Sequence, residues 1–375
     1  FASDAGGFGD DGSENIIKCG SYTGTSSLNS ISCGFEPQFV LVKCSSHANT
    51  RWSMFDAMRG VVTGSSATTG DDKRLAANSS DAETAFPMIN FTATGFDVQN
   101  QYSDVNENSR TYIYIAIRRP MKTPESGTEV FTPNSYTGNS TADRILTSSN
   151  NPVDLGIVKQ TVQGGDWLWT DRLRGAGQTI YSNYTQAEAA QSTYISGLDV
   201  QSGIEIGSGN GVNNNTKTYI SYMLSRATGF MDVVVATPSG YAWSNVPHNL
   251  GVTPELLIYK PRASGAWYVM SSALASSNYY MVLNGTNAAT LSGASQYSAT
   301  ATTVSFPSMP SNASTVAYLF STLAGVSKVG SVVHSGTTDV DCGFSAGARF
   351  VMAKRADQNG DWYYWDTMRG IVAGN

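Results

Sequence analysis

Apolar and polar positions alternate in short runs along the whole chain. Val, Ile, Tyr, Phe and Thr gather in stretches bounded by Gly, Asn, Ser and Pro, the pattern of half-buried β-strands. One run recurs four times and ends in lysine: Phe39-Val40-Leu41-Val42-Lys43, Leu155-Gly156-Ile157-Val158-Lys159, Leu256-Leu257-Ile258-Tyr259-Lys260 and Phe350-Val351-Met352-Ala353-Lys354. A tryptophan follows each lysine, at Trp52, Trp167, Trp267 and Trp362, with gaps of 9, 8, 7 and 8 residues. Two strands joined by a turn of varying length are predicted. Gly164-Gly165 and Asn359-Gly360, just before the Trp strand, are residues that tolerate the positive φ of a tight hairpin.

Two further landmarks turn the hairpin into a repeat. Ser21-Tyr22-Thr23-Gly24 recurs at Ser135-Tyr136-Thr137-Gly138. A closing run reads Thr111-Tyr112-Ile113-Tyr114-Ile115, Thr218-Tyr219-Ile220-Ser221-Tyr222 and Thr315-Val316-Ala317-Tyr318-Leu319. Successive Trp positions differ by 115, 100 and 95, too long for a solenoid and the size of a small domain. The fold class predicted is all-β: tandem small β-sandwich or jelly-roll domains, lectin-like, strung as beads. Residues 1–14 read as a linker or the end of a preceding domain. Copies follow at 15–122, 123–228, 229–325 and 326–375, the fourth being the first half of a domain, with its remainder expected outside the sequence. The chain begins with Phe rather than Met, which reads as a fragment or a processed product. No long amphipathic helix is predicted; Gln186 to Gln191 is the one stretch that suits a short one.

Composition narrows the functions. Charged residues make up only 14% of the 375, against the roughly 25% of ordinary soluble domains, and Ser, Thr, Asn and Gly take their place. The net charge is −6 and no Lys/Arg cluster could track a phosphate backbone, so nucleic acid is not an expected partner. No apolar run reaches the roughly 20 residues of a membrane span. The four cysteines, Cys19, Cys33, Cys44 and Cys342, form no CxxC pair; Cys33 and Cys342 hold the same place in two copies and read as small buried residues. Asp357-x-Asn359-x-Asp361 reads as a turn rather than a calcium loop. Asn-x-Ser/Thr triplets such as Asn284-Gly285-Thr286 read as chance in so polar a chain. His47, His248 and His334 fall in different copies, and no nucleophile elbow, zinc or phosphate-loop motif occurs, so the chain reads as non-enzymatic, without cofactor or metal.

The sharpest motif is Trp-x3-Asp-x2-Arg-Gly. It occurs at Trp52, Asp56, Arg59, Gly60; at Trp167, Asp171, Arg174, Gly175; and at Trp362, Asp366, Arg369, Gly370. Asp and Arg three apart can close a charge-assisted pair across a turn at a strand end. In the third copy Ser271, Leu274 and Ala275 stand in their places. Two readings stay open: a structural latch with Trp as core, or an aromatic site for a sugar or peptide.

With these residues in view, the copies resemble a repeat domain of tailed-phage virion proteins, common in marine and cyanobacterial phages. The likeness rests on Gly20 to Gly24, Cys33 to Lys43, Trp52 to Gly60, Gly95-Phe96 and Tyr112 to Ala116. It continues through Ser327 to Ser331, Trp362 to Gly370 and the fibre-like phrase Val246 to Pro254. The resemblance implies a tail-fibre, spike or head-appendage protein on the extracellular surface of the virion. It implies a homo-oligomer, three-fold by preference, whose partners are other virion proteins and host surface polysaccharide. It carries over no catalytic residue. A carbohydrate-binding or carbohydrate-active lectin-like protein, and a cellular surface or filament protein, are the alternatives.

Overall fold

The computed structural model describes residues 2–63, 72–99, 102–148, 151–237, 242–292, 297–307 and 312–371. The chain is nearly all β, built of small antiparallel sheets grouped in repeated units, a tandem of β-sandwiches. In copy 1 a six-stranded sheet runs in the order Ile17–Thr23, Thr111–Arg118, Pro37–Cys44, Trp52–Asp56, Lys73–Ala76, Thr84–Ala85. A three-stranded sheet, Asn29–Ser32, Gly95–Val98, Ile89–Thr92, covers one of its faces. The closing strand Thr111–Arg118 thus lies between the first strand and the lysine strand.

Copies 2 and 3 repeat the order. Their first strands are Phe131–Thr137 and Met231–Ala236, their closing strands Thr218–Leu224 and Thr315–Phe320. The lysine strands Leu155–Gln160 and Leu256–Pro261 come next, then the Trp strands Trp167–Asp171 and Tyr268–Ser271, then the fourth strands Gln178–Tyr181 and Tyr279–Val282. Copy 4 contributes the hairpin Phe350–Lys354 with Trp362–Asp366. Its Ser327 to Ser331 matches the first strand of copy 1 in sequence but forms no strand. In copy 1 that segment is held by the closing strand, and no closing run follows it within the sequence.

Strand alternation sends Val40, Val42 and Phe55 inward, onto Ile89, Phe96, Val98 and Tyr112 of copy 1, all fully buried. The Ser-Tyr-Thr-Gly landmark belongs to this core. Tyr22 stacks on Tyr112 at 5.2 Å and 13°, and Tyr136 on Tyr219 at 5.2 Å and 15°. Their hydroxyls donate to the carbonyls of Val105 and Val212, each at 2.6 Å, and so pin the loop before the closing strand. The glycine that follows is a close-approach residue: a Cβ on Gly24 would lie 2.2 Å from the Glu107 carbonyl, and one on Gly138 2.1 Å from that of Asn214.

The stretch Gln186 to Gln191, suited to a short helix, does not form one. Ala189–Ala190 instead pairs with Gln178 and Thr179 as an edge strand, because a six-residue helix nucleates poorly and the sheet offers a ready ladder. Among the described residues the one α-helical turn, Asn210–Asn213, lies in the loop before the closing strand of copy 2, where the Asn210 carbonyl accepts the Tyr219 hydroxyl.

Contacts divide the chain into two compact bodies: residues 1–122 with 172–175, and residues 123–171 with 176–375. Copies 3 and 4, and copy 2 apart from residues 172–175, therefore fall within one body.

Two outcomes follow for copy 1. Gly24→Ala is expected to lower its stability by about 1–3 kcal/mol, since the backbone must move to admit the methyl group; urea denaturation checks it. Burial also pushes the Cys33 thiol up to about 11, and the Tyr112 and Tyr114 hydroxyls up to about 12. Folded copy 1 holds these protons more tightly than the unfolded chain, so their contribution is complete below pH 9 and is lost as pH rises through 11 and 12. The denaturation midpoint should fall with alkali in that window, and Tyr112→Phe should flatten the fall.

Candidate functional site: the repeated Trp-Asp-Arg-Gly motif

The lysine that ends each apolar strand caps the hairpin turn. Lys43 Nζ donates to the Thr50 carbonyl at 2.8 Å and to its hydroxyl at 2.6 Å; Lys260 Nζ donates to the carbonyls of Pro261 and Ala263 at 2.7 and 2.9 Å. Lys159 and Lys354 reach the carbonyls of Gly165 and Gly360 in the same way. The backbone N–H of the Trp is taken by an asparagine side chain just beyond the fourth strand: Asn78 at 2.9 Å, Asn183 at 3.0 Å and Asn284 at 2.8 Å. This asparagine escaped the sequence comparison because its distance from the Trp varies with loop length. Asn284 is the residue read there as part of a chance triplet.

The Asp and Arg of the motif close on each other within a single turn. In copy 1, Arg59 donates through its backbone N and Nε to the two oxygens of Asp56, at 2.8 and 2.5 Å, and through Nη2 to the Met54 carbonyl. In copy 4, Arg369 does the same to Asp366 at 2.9 and 2.6 Å, with Nη2 on the Tyr364 carbonyl. The following Gly60 and Gly370 have φ of +121° and +116°, where a side chain would be strained. In copy 2, Asp171 and Arg174 are both buried.

What the motif faces differs between the bodies. In the second body the outer faces of the large sheets of copies 2 and 3 and one face of the copy 4 hairpin meet one another. Tyr318 of copy 3 donates its hydroxyl to Asp171 of copy 2 at 2.8 Å. Tyr222 of copy 2 donates to Asp366 of copy 4 at 2.8 Å and accepts from Arg369 at 3.0 Å. Register makes the two tyrosines equivalent, opposite Ile258 and Ile157 in their sheets. Tryptophans complete the joints. Trp267 is fully buried and donates Nε1 to the Tyr181 carbonyl of copy 2 at 2.8 Å; Trp362 donates to the Val282 carbonyl of copy 3 at 3.0 Å. Backbone bonds repeat as well: Gly265 N to Thr185 O matches Gly360 N to Thr286 O, and Glu188 N to Arg262 O matches Ala289 N to Ala356 O. Arg262 and Glu188 add an ion pair at 2.6 Å between copies 3 and 2. Trp167 packs on Tyr364 of copy 4 at 4.7 Å. Copy 3 thus leans on copy 2, copy 4 on copy 3, and copy 2 on copy 4, a closed three-membered ring with head-to-tail contacts.

Asp366 is 1% exposed and takes three donors: the Arg369 N–H, Arg369 Nε and the Tyr222 hydroxyl. A buried carboxylate is tolerable only when so satisfied. Burial, with the Asp366 carboxylate beside it, holds the Tyr222 hydroxyl protonated far above its ordinary range, so it serves as a fixed donor. Tyr222 and Tyr318 were visible in the closing landmark, but their pairing with aspartates of other copies is a matter of assembly that spacing does not encode. Copy 1 differs: Trp52 is 38% exposed, and Arg59 turns its remaining nitrogen to Glu83 at 2.9 Å. Asp357, in the candidate calcium stretch, pairs with Arg355, and Asn359 accepts from the Ala288 N–H.

Fold and motif together define a tandem β-sandwich protein in which one motif both closes a turn and serves as a joint between copies. The chain belongs to the family described as Domain of unknown function (DUF7483), which matches residues 14–120 and 126–373. No curated protein and no solved structure matches it. Among the described residues no helix is long and apolar enough to cross a membrane.

A double-mutant cycle on Tyr222→Phe and Asp366→Asn, read by urea denaturation, is expected to give a coupling energy of about 1–3 kcal/mol. Additivity within about 0.5 kcal/mol would show that the bond contributes nothing.

Proposed function

We propose that the protein is a non-enzymatic structural and adhesion component of a phage virion, part of a tail fibre, spike or head appendage. Its partners in this reading are its own copies, other virion proteins and host surface polysaccharide. The observation that carries the proposal is the use of the shared motif. Where copies 2 to 4 meet, its aromatic and charged atoms are spent on joining one β-sandwich to the next, as suits an architectural part. The motif is therefore a latch and joint in this reading, with Trp52, Asp56 and Arg59 of copy 1 as the same parts facing outward. The phage assignment rests on the sequence resemblance, and the low-charge, hydroxyl- and amide-rich surface suits exposure outside a cell.

Immunogold electron microscopy with antibodies to the chain tests the proposal on tailed-phage particles whose genomes encode it. Gold on a tail or head appendage is the expected result. Label confined to host cell envelopes or cellular filaments, with bare particles, would overturn it.

A further inference from the structure

The outer face of the large sheet in copy 1 is made of the same positions that line the ring in the second body. Leu41, Trp52, Met54, Leu75, Ile113 and Ile115 lie on it, by strand alternation and register. The matching residues of copy 3, Ile258, Trp267, Val269, Met281, Val316 and Tyr318, are at most 7% exposed. In copy 1, Trp52, Leu75 and Ile113 are 38%, 37% and 42% exposed. A contiguous apolar face of this kind marks an interaction surface.

Both halves of the joint are present on copy 1. Trp52 stands where Trp267 and Trp362 donate to a neighbour's fourth strand. The carbonyl that would accept from such a Trp is that of Ala76, the equivalent of Tyr181 and Val282. All three carbonyls head the same turn, accepting from the N–H three residues on: Ser79 to Ala76, Tyr184 to Tyr181 and Gly285 to Val282. The Asp56–Arg59 pair has the geometry of Asp366–Arg369. A surface that holds donor and acceptor sides of a head-to-tail contact can close on copies of itself, and the ring in the second body shows that this contact closes at three.

We infer that the Trp52 face of copy 1 binds the same face of two further molecules of this chain, joining three chains in a ring like that of copies 2 to 4. This rests on reading the motif as a joint. One position is weaker than in the second body. Ile115 stands where Tyr222 and Tyr318 stand, so no hydroxyl would reach the neighbour's Asp56, and the association depends on apolar burial and the Trp52 donor.

Sedimentation of the 375-residue chain over a range of concentrations tests the inference. A reversible equilibrium between the 39.9 kDa chain and a species of three chains is expected. Trp52→Ala and Ile113→Asp should each return it to one chain, with unchanged circular dichroism showing that the fold survives. Ile115→Tyr should tighten the association by about tenfold or more, the worth of a hydroxyl–carboxylate bond. A single chain at every concentration would overturn the inference. So would a trimer indifferent to Trp52→Ala and Ile113→Asp, or Trp52-dependent glycan-array binding by a chain that stays single. None of these results would move gold off an appendage, so failure here is distinct from failure of the virion assignment.

Discussion

A tyrosine hydroxyl donated to the buried aspartate of another copy is the interaction on which the second body depends. Asp171 and Asp366 sit in an apolar interface, and an ionised carboxylate there is costly unless every oxygen has a donor. The turn supplies part of the set to Asp366 through Arg369, and the neighbouring copy supplies the rest through Tyr222. A mispacked ring would leave the carboxylate short of a donor. The bond therefore selects one arrangement of copies more than it adds to gross stability, while Trp267, Ile258, Val269 and Tyr318 supply the burial.

Copy 3 shows how the scheme tolerates change. Its own turn carries Ser271 and Leu274 in place of Asp and Arg, so there is no buried carboxylate to satisfy at that joint. It keeps Trp267 and Tyr318, the parts it offers to copy 2. Loss of the acceptor without loss of the donor is what a head-to-tail ring permits, because the two sides of each copy face different neighbours.

Much of the sandwich was legible in the sequence, and the reason is periodicity. Alternation in Phe39 to Lys43 and in the closing runs marks strands whose two faces meet different surroundings. The lysine, the Trp and the Tyr-Thr-Gly turn recur because each meets a fixed local need: a capped hairpin, a held strand start, a close backbone approach. The motif was found with its spacing intact, since Asp and Arg close within one turn. Its second role was not legible. Tyr222 reaches Asp366 across 144 residues, and Tyr318 reaches Asp171 across 147, and nothing local to either end marks the partner. The outer sheet face read as one more half-buried surface, although in copy 3 it is buried as deeply as the sandwich core. Gln186 to Gln191 misled because alanine and glutamine favour a helix that the edge of the sheet pre-empts.

Copies 2, 3 and 4 form one cooperative ring, and differential scanning calorimetry of the whole chain tests this most directly. The second body should melt in one transition whose van't Hoff enthalpy equals its calorimetric enthalpy, about 0.7 kcal/mol per residue taken over all three copies. A van't Hoff enthalpy of about a third of the calorimetric value, the mark of copies melting one by one, would contradict it.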